Sequence, residues 1–181
     1  IGSYGLYFGR ITEEKGVETV VQAYEKLQKY TVKIMGDDTT EEAIRLKRYI
    51  KEHKIKNIEF LGFKSGEELE DIIKGARFTL IPSIWYDNLP NTALESFQYS
   101  KPVIASNIGS LPELVVDGEN GYLFKPADAE DLIKKIKLLD DDTVVEKMGA
   151  ASRRRLESRF SPETHYEALM KVFSEAVKNN K

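Results

Sequence analysis

The chain has 181 residues, 41% hydrophobic and 31% charged, a balance that suits a packed core under a charged surface and excludes a disordered or fibrous protein. Its 27 basic and 30 acidic residues leave a formal charge of −3, which argues against a nucleic-acid binder relying on a general basic field. The absence of cysteine excludes disulfides, thiolate nucleophiles and cysteine–metal sites, and the only histidines, His53 and His165, are too far apart to suggest a histidine-rich metal centre.

In chain order, short apolar segments alternate with segments of helical period. Leu6 to Arg10 reads as a strand, and Val17, Val20, Val21, Tyr24 and Leu27 then recur at helical spacing. Thr31 to Met35 is a second strand closed by Gly36. Thr39 with Glu42 forms an expected capping box, followed by Ala43, Leu46, Lys47 and Ile50 in helical register. Ile58 to Leu61 is a third strand. Ser65 with Glu68 opens another helix, striped by Leu69, Ile72 and Ile73.

Phe78 to Ile81 is a buried strand ended by Pro82. Asn91 to Tyr99 reads as a helix, Pro102 to Ala105 as a strand, and Gly121 to Phe124 as a last short strand. Leu132, Ile133, Ile136 and Leu139 mark a further helix. Asp140-Asp141-Asp142 reads as a solvated junction that caps the next one, on which Arg153-Arg154-Arg155 forms an exposed face. The final helix, about residues 161–178, opens with Ser161-Pro162-Glu163, a cap followed by proline at the first helical position. The pattern predicts an α/β fold: a doubly wound, Rossmann-like parallel sheet with helices on both faces.

In such a sheet ligands bind beyond the carboxyl ends of the strands. The residues there are Gly9-Arg10 and Lys15-Gly16, then Gly36-Asp37-Asp38, then Gly62-Phe63, and finally Pro82 to Asn91. Neither a Gly-x-Gly-x-x-Gly fingerprint nor a Gly-Lys-Ser/Thr phosphate loop occurs, so dehydrogenase and triphosphatase readings lose their main support. What remains is a pair of cations, Arg10 and Lys15, and a helix start near Asn91 whose free amides favour an anion. Together they suit a phosphate or diphosphate, although each cation read singly is also ordinary surface charge. Glu95, one helical turn beyond Asn91, is either a dipole partner or an acceptor for vicinal hydroxyls. Asp87 is either an Asx-turn residue or a second hydroxyl acceptor, and Trp85 and Tyr86 read as packing residues.

These residues carry a family resemblance. Phe8-Gly9-Arg10 with Lys15-Gly16, Pro82-Ser83, the stretch Trp85 to Ser96, Lys101 to Ala105, Gly109 to Leu114 and Asp117 to Leu123 occur in order along essentially the whole chain, to the closing Phe160-Ser161. The chain thereby resembles the C-terminal, nucleotide-sugar-binding domain of retaining glycosyltransferases of the two-domain GT-B fold, family four. The family pattern has two acids seven residues apart, usually both glutamate; Glu95 matches the second, and Asp87 stands one methylene short at the first.

The resemblance implies that Arg10 and Lys15 neutralise the donor diphosphate as it leaves, beside Gly9. It implies that Asp87 and the backbone of Asn88, Leu89, Pro90 and Asn91 hold the sugar and its phosphate, that Thr92 adds a hydroxyl, and that Glu95 binds the ribose. The base is expected near Gly62 and Phe63, with Gly36 close by. The substrate implied is a nucleotide-sugar such as a UDP- or GDP-sugar, transferred with retention and without a metal or other cofactor, since fixed cations replace a divalent ion. The acceptor, a glycan, lipid or small molecule, is expected on an N-terminal domain that this chain lacks, with His165, Tyr166, Leu169 and Phe173 of the last helix bracing that domain. On this reading residues 1–181 are one donor-binding domain that transfers little alone. A cytoplasmic setting is expected, at the inner membrane face where the acceptor is a lipid, and no nucleic-acid partner. Two other classes stay open on the residues: a nucleotide-sugar epimerase of related architecture, and a non-enzymatic Rossmann-like regulatory module hinted at by Asp37-Asp38.

Overall fold

The computed structural model describes residues 1–179. Its strands are β1 (Tyr4–Phe8), β2 (Thr31–Met35), β3 (Ile58–Gly62), β4 (Ala76–Ile81), β5 (Val103–Ser106) and β6 (Gly121–Phe124). The helices are α1 (Val17–Lys26), α2 (Glu41–Glu52), α3 (Gly66–Gly75), α4 (Asn91–Gln98), α5 (Leu111–Leu114), α6 (Ala129–Lys137), α7 (Asp142–Arg159) and α8 (Pro162–Asn179). All strand pairs are parallel, in the order β3-β2-β1-β4-β5-β6. The chain starts in the middle, winds to one edge, then returns past β1 to build the other half. The order therefore reverses between β1 and β4, where the loops leaving the carboxyl ends diverge and open a crevice.

Both faces of the sheet are covered, which is why its strands are apolar runs rather than alternating ones. Tyr7, Ile34, Leu80, Ile104 and Phe124 pack on one side against Val20 and Tyr24 of α1, Leu46 of α2 and Leu132 and Ile136 of α6. Their strand neighbours point the opposite way. Leu6, Phe8 and Met35 meet Ile73 of α3, while Ile81, Val103 and Ala105 meet Ala93 and Phe97 of α4 and Leu111 and Leu114 of α5. Among the described residues no helix is long and apolar enough to cross a membrane.

Several local expectations change. The cap of α2 is Thr40, whose Oγ1 accepts from the Ala43 N–H at 3.2 Å. Thr39 instead closes an Asx turn, donating its N–H and hydroxyl to Asp37 Oδ1 at 3.0 and 2.6 Å, which moves the helix start along by one residue. Ser65 precedes α3 without a side-chain cap bond, and Lys64 takes Glu68, the other half of the expected box, at 2.6 Å. Asp141 does cap α7, and Ser161 Oγ accepts from the Thr164 N–H at the start of α8. The Arg153–Arg155 run is not a uniform surface: Arg155 is half-buried and donates to the Glu113 carbonyl, tying α7 to α5. Trp85 and Tyr86 do not pack; both are exposed on the loop after β4.

Candidate functional site

Two glycines bring the strand ends together. A Cβ on Gly36 would fall 2.0 Å from the Gly9 carbonyl oxygen, so only glycine lets the chain leaving β2 approach the chain leaving β1 this closely. Gly16 has a φ of +67° and a Cβ there would meet the Pro82 oxygen at 2.0 Å, so it presses the Glu13–Lys15 turn against the end of β4. Backbone bonds hold that junction: the Ile84 N–H donates to the Glu14 carbonyl at 3.0 Å. Residues from opposite sides of the strand-order reversal thus become neighbours.

The first product is a cavity of about 240 Å3 lined by Gly9, Arg10, Lys15, Ser83, Asp87, Pro90, Asn91, Thr92 and Glu95, among others. Lys15 Nζ donates to both Asp87 oxygens, at 2.7 and 2.8 Å, with side chains only 20% and 22% exposed. Ser83 Oγ reaches Asp87 Oδ2 at 2.9 Å. Arg10 is 73% exposed in its side chain and makes only a loose contact with Glu14 at 3.7 Å, so its guanidinium can turn toward a ligand. The buried Tyr7 hydroxyl donates to the Arg10 carbonyl, and burial, with Asp87 the next cause, raises its pKa. At the head of α4 the cap position is Pro90, which has no side-chain acceptor, so no side chain satisfies the first amides.

A second cavity, about 470 Å3, adjoins the first and shares Phe8, Gly9, Arg10, Thr92 and Glu95 with it. Its other walls include Met35, Gly36, Asp37, Thr40, Phe63, Lys64 and Leu69, mostly apolar flanks with polar ends. Glu95 stands on the seam. Burial alone pushes its carboxyl above the usual range, with no offsetting hydrogen bond or charge among the described residues. The pair of cavities can hold a flat, largely apolar group in the larger and an anionic group in the smaller, with hydroxyls reaching Glu95 between them. A still larger cleft, about 600 Å3, is ringed by Glu13, Glu18, Glu41 and Glu42, and its one arginine, Arg45, is already bound by Glu18 and Glu42.

Of the residues expected at the site, Gly9, Arg10, Lys15, Asp87, Pro90, Asn91, Thr92, Glu95, Gly36 and Phe63 line one or both cavities. Asn88 and Leu89 do not. They line a separate hollow with Ser110, Glu113 and Arg159, because the Asp87 carbonyl is bound by the Ser110 N–H and hydroxyl, which turns the next two residues away. Gly62 lines neither cavity; its φ of +70° redirects the chain so that Phe63 projects, 75% exposed. Met35 and Leu69, read in the sequence only as a strand end and a helix stripe, and Thr40 and Lys64, given no role there, also line the larger cavity. The only available signal was their position just before or after a strand end or helix start.

A family profile described as "Glycosyl transferases group 1" matches residues 3–155. An uncharacterized glycosyltransferase of Methanocaldococcus jannaschii is 28% identical over 173 residues, covering 96% of this chain and 48% of that protein. The glycogen synthase of Mycobacterium tuberculosis is 29% identical over 181 residues, with 97% and 43% coverage. The chain thus spans about half the length of these curated relatives. Among solved structures, sucrose-phosphate synthase from Thermosynechococcus elongatus superposes with a TM-score of 0.86 at 25% identity, over 98% of this chain and 46% of that one. Anabaena HepE in complex with UDP and glucose gives 0.85 at 20% identity, over 96% and 48%, a likeness in fold.

Proposed function

The chain belongs to the glycosyl transferases group 1 family, and from that premise we propose that it is the donor-binding, C-terminal domain of a retaining GT-B hexosyltransferase of family four. The observation that carries the reading is the convergence of Arg10, Lys15 and the uncapped head of α4 on one small cavity, next to a larger, mainly apolar one. A nucleotide-sugar has the matching order of parts. Its base fits the larger cavity by Phe63 and Gly36, its ribose hydroxyls reach Glu95, and its diphosphate meets the cations and the amides around Asn91 and Thr92.

Bond breaking at the sugar releases a diphosphate whose negative charge grows toward the transition state. Lys15, held by Asp87, and the α4 amides, fixed by the helix, stabilise the leaving group with little reorganisation, and the exposed Arg10 turns in to join them. On this reading the fixed cations take the part a divalent ion plays elsewhere, and the acceptor attacks from the face the diphosphate is leaving. The glycan, lipid or small-molecule acceptor belongs to a second domain. In support, α8 carries Tyr166, Leu169, Met170 and Phe173 exposed, an apolar surface suited to contact with such a domain.

Calorimetric titration of the 181-residue chain with UDP, GDP and ADP, each against its own nucleoside, tests the reading. One diphosphate is expected to bind at least tenfold more tightly than its nucleoside, and Glu95→Ala is expected to weaken both. Equal affinity for nucleoside and diphosphate would sink the assignment of the smaller cavity.

A further inference from the structure

The resemblance gives Asp87 the task of holding sugar hydroxyls, yet its carboxylate is largely occupied. A carboxylate offers about four acceptor positions. Lys15 takes one on each oxygen, at 2.7 and 2.8 Å, and Ser83 takes another on Oδ2 at 2.9 Å. The backbone of Asp87 is equally restrained. Its carbonyl accepts from Ser110 Oγ at 2.9 Å and from the Ser110 N–H at 3.3 Å. Gly109, with φ +60°, lies flat against it, since a Cβ there would come within 3.1–3.3 Å of the Asp87 and Tyr86 backbone. Ser83 itself is buried, at the end of β4, and its next acceptor, the Glu14 carbonyl, is farther at 3.2 Å.

We propose that Ser83 and Asp87 are positioning residues that act through Lys15. Lysine is flexible and would ordinarily sweep through solvent, losing that freedom only when it meets an anion. Here Asp87 removes the freedom in advance. An ammonium has three N–H donors; with two on Asp87, the third is left for the cavity that Arg10 and Thr92 also line. Ser83 holds Asp87 at the right distance from the buried side. The aspartate in place of the longer glutamate fits this task, because the shorter arm keeps the carboxylate back against Ser83 while Lys15 spans the gap.

The inference rests on the diphosphate reading above, and Ser83→Ala tests it without altering any charge. In titrations of the 181-residue chain with UDP, GDP and ADP and their nucleosides, Ser83→Ala is expected to weaken the preferred diphosphate about three- to tenfold and leave its nucleoside unchanged. In a Lys15→Ala background the same substitution should cost nothing further, because the residue it acts through is gone. Should Ser83→Ala unfold the chain, Ser83→Cys, close in size but a weak donor, makes the same comparison with the same expected direction. Equal losses for nucleoside and diphosphate, full additivity with Lys15→Ala, or no loss at all would each overturn the positioning role. An unsubstituted chain that does not distinguish diphosphate from nucleoside fails the diphosphate reading instead.

Discussion

The two edges of the sheet use the same kinds of side chain in opposite ways. At the amino edge several long polar side chains are tied to backbone carbonyls, although the buried Tyr24 hydroxyl beside Gly5 has no partner. Lys101 Nζ donates to the carbonyls of Lys74 and Ala76 at 2.6 and 2.8 Å, and the Tyr4 hydroxyl donates to Ile72 at 2.7 Å. Arg77 donates to the carbonyls of Leu139 and Asp140 at 2.7 and 2.8 Å and pairs with Asp142. At the carboxyl edge Arg10 is exposed with only a loose contact to Glu14, Phe63 projects, Pro90 leaves the head of α4 uncapped, and Glu95 is partly buried with only burial acting on its carboxyl. Partial burial without a partner destabilises a fold, so such groups persist where a ligand is to meet them. The Lys15–Asp87–Ser83 chain is the exception at that edge, closed like the amino side yet facing a cavity.

Substitutions that separate stability from binding can break this contrast. The largest effect is expected at the amino edge: Arg77→Ala should lose about 2–3 kcal/mol of stability, because two charge-assisted bonds to carbonyls disappear. Urea titration measures that loss, and the affinity for nucleoside diphosphate should not change. A fall in affinity comparable to the fall in stability would erase the distinction between the edges. Next comes Lys15→Ala, expected to weaken the preferred diphosphate about 10- to 100-fold, or about 1.4–2.8 kcal/mol, with a smaller change in melting temperature. Calorimetry beside a thermal melt reads both quantities.

Glu95→Gln gives the smallest effect and sharpens the contrast through pH. Burial holds the folded-state pKa of Glu95 above its unfolded value. Below the ordinary carboxylate range both states are protonated and the group costs nothing. As pH rises from that range through the raised folded pKa, the unfolded state sheds its proton first, so folding loses stability across this window and stays lower above it. Glu95→Gln should therefore raise the melting temperature near neutral pH by on the order of one degree, and the gain should vanish in acid. A gain that is equal at both pH values would mean that shape rather than ionisation sets the cost.

Much of this molecule was legible from spacing. All six strands lie within two residues of their expected positions, because strands buried on both faces are short apolar runs bounded by glycine or proline. The long helices follow from their 3.6-residue stripes. The four-residue helix α5 was missed, since it is too short to show a period, and the cap of α2 slipped by one because adjacent threonines compete for one role. Arg10 and Lys15 were legible as site candidates because fold class says where strands end, and Glu95 because it shares a helical face with Asn91, whereas Thr92 entered only through the family resemblance.

What tertiary structure decided is which of those ends meet. Lys15 and Asp87 are 72 positions apart, and their contact depends on Gly16 letting one loop press on Pro82. The same approach enlists Ser83, while Ser110 holds the Asp87 carbonyl and turns Asn88 and Leu89 out of the site. Local periodicity comes from backbone geometry repeated over a few residues, so sequence by itself determines strands, helices and the edge at which a ligand is expected. A pairing between distant loops depends on close packing across the sheet, where a single missing Cβ decides whether two backbones can touch.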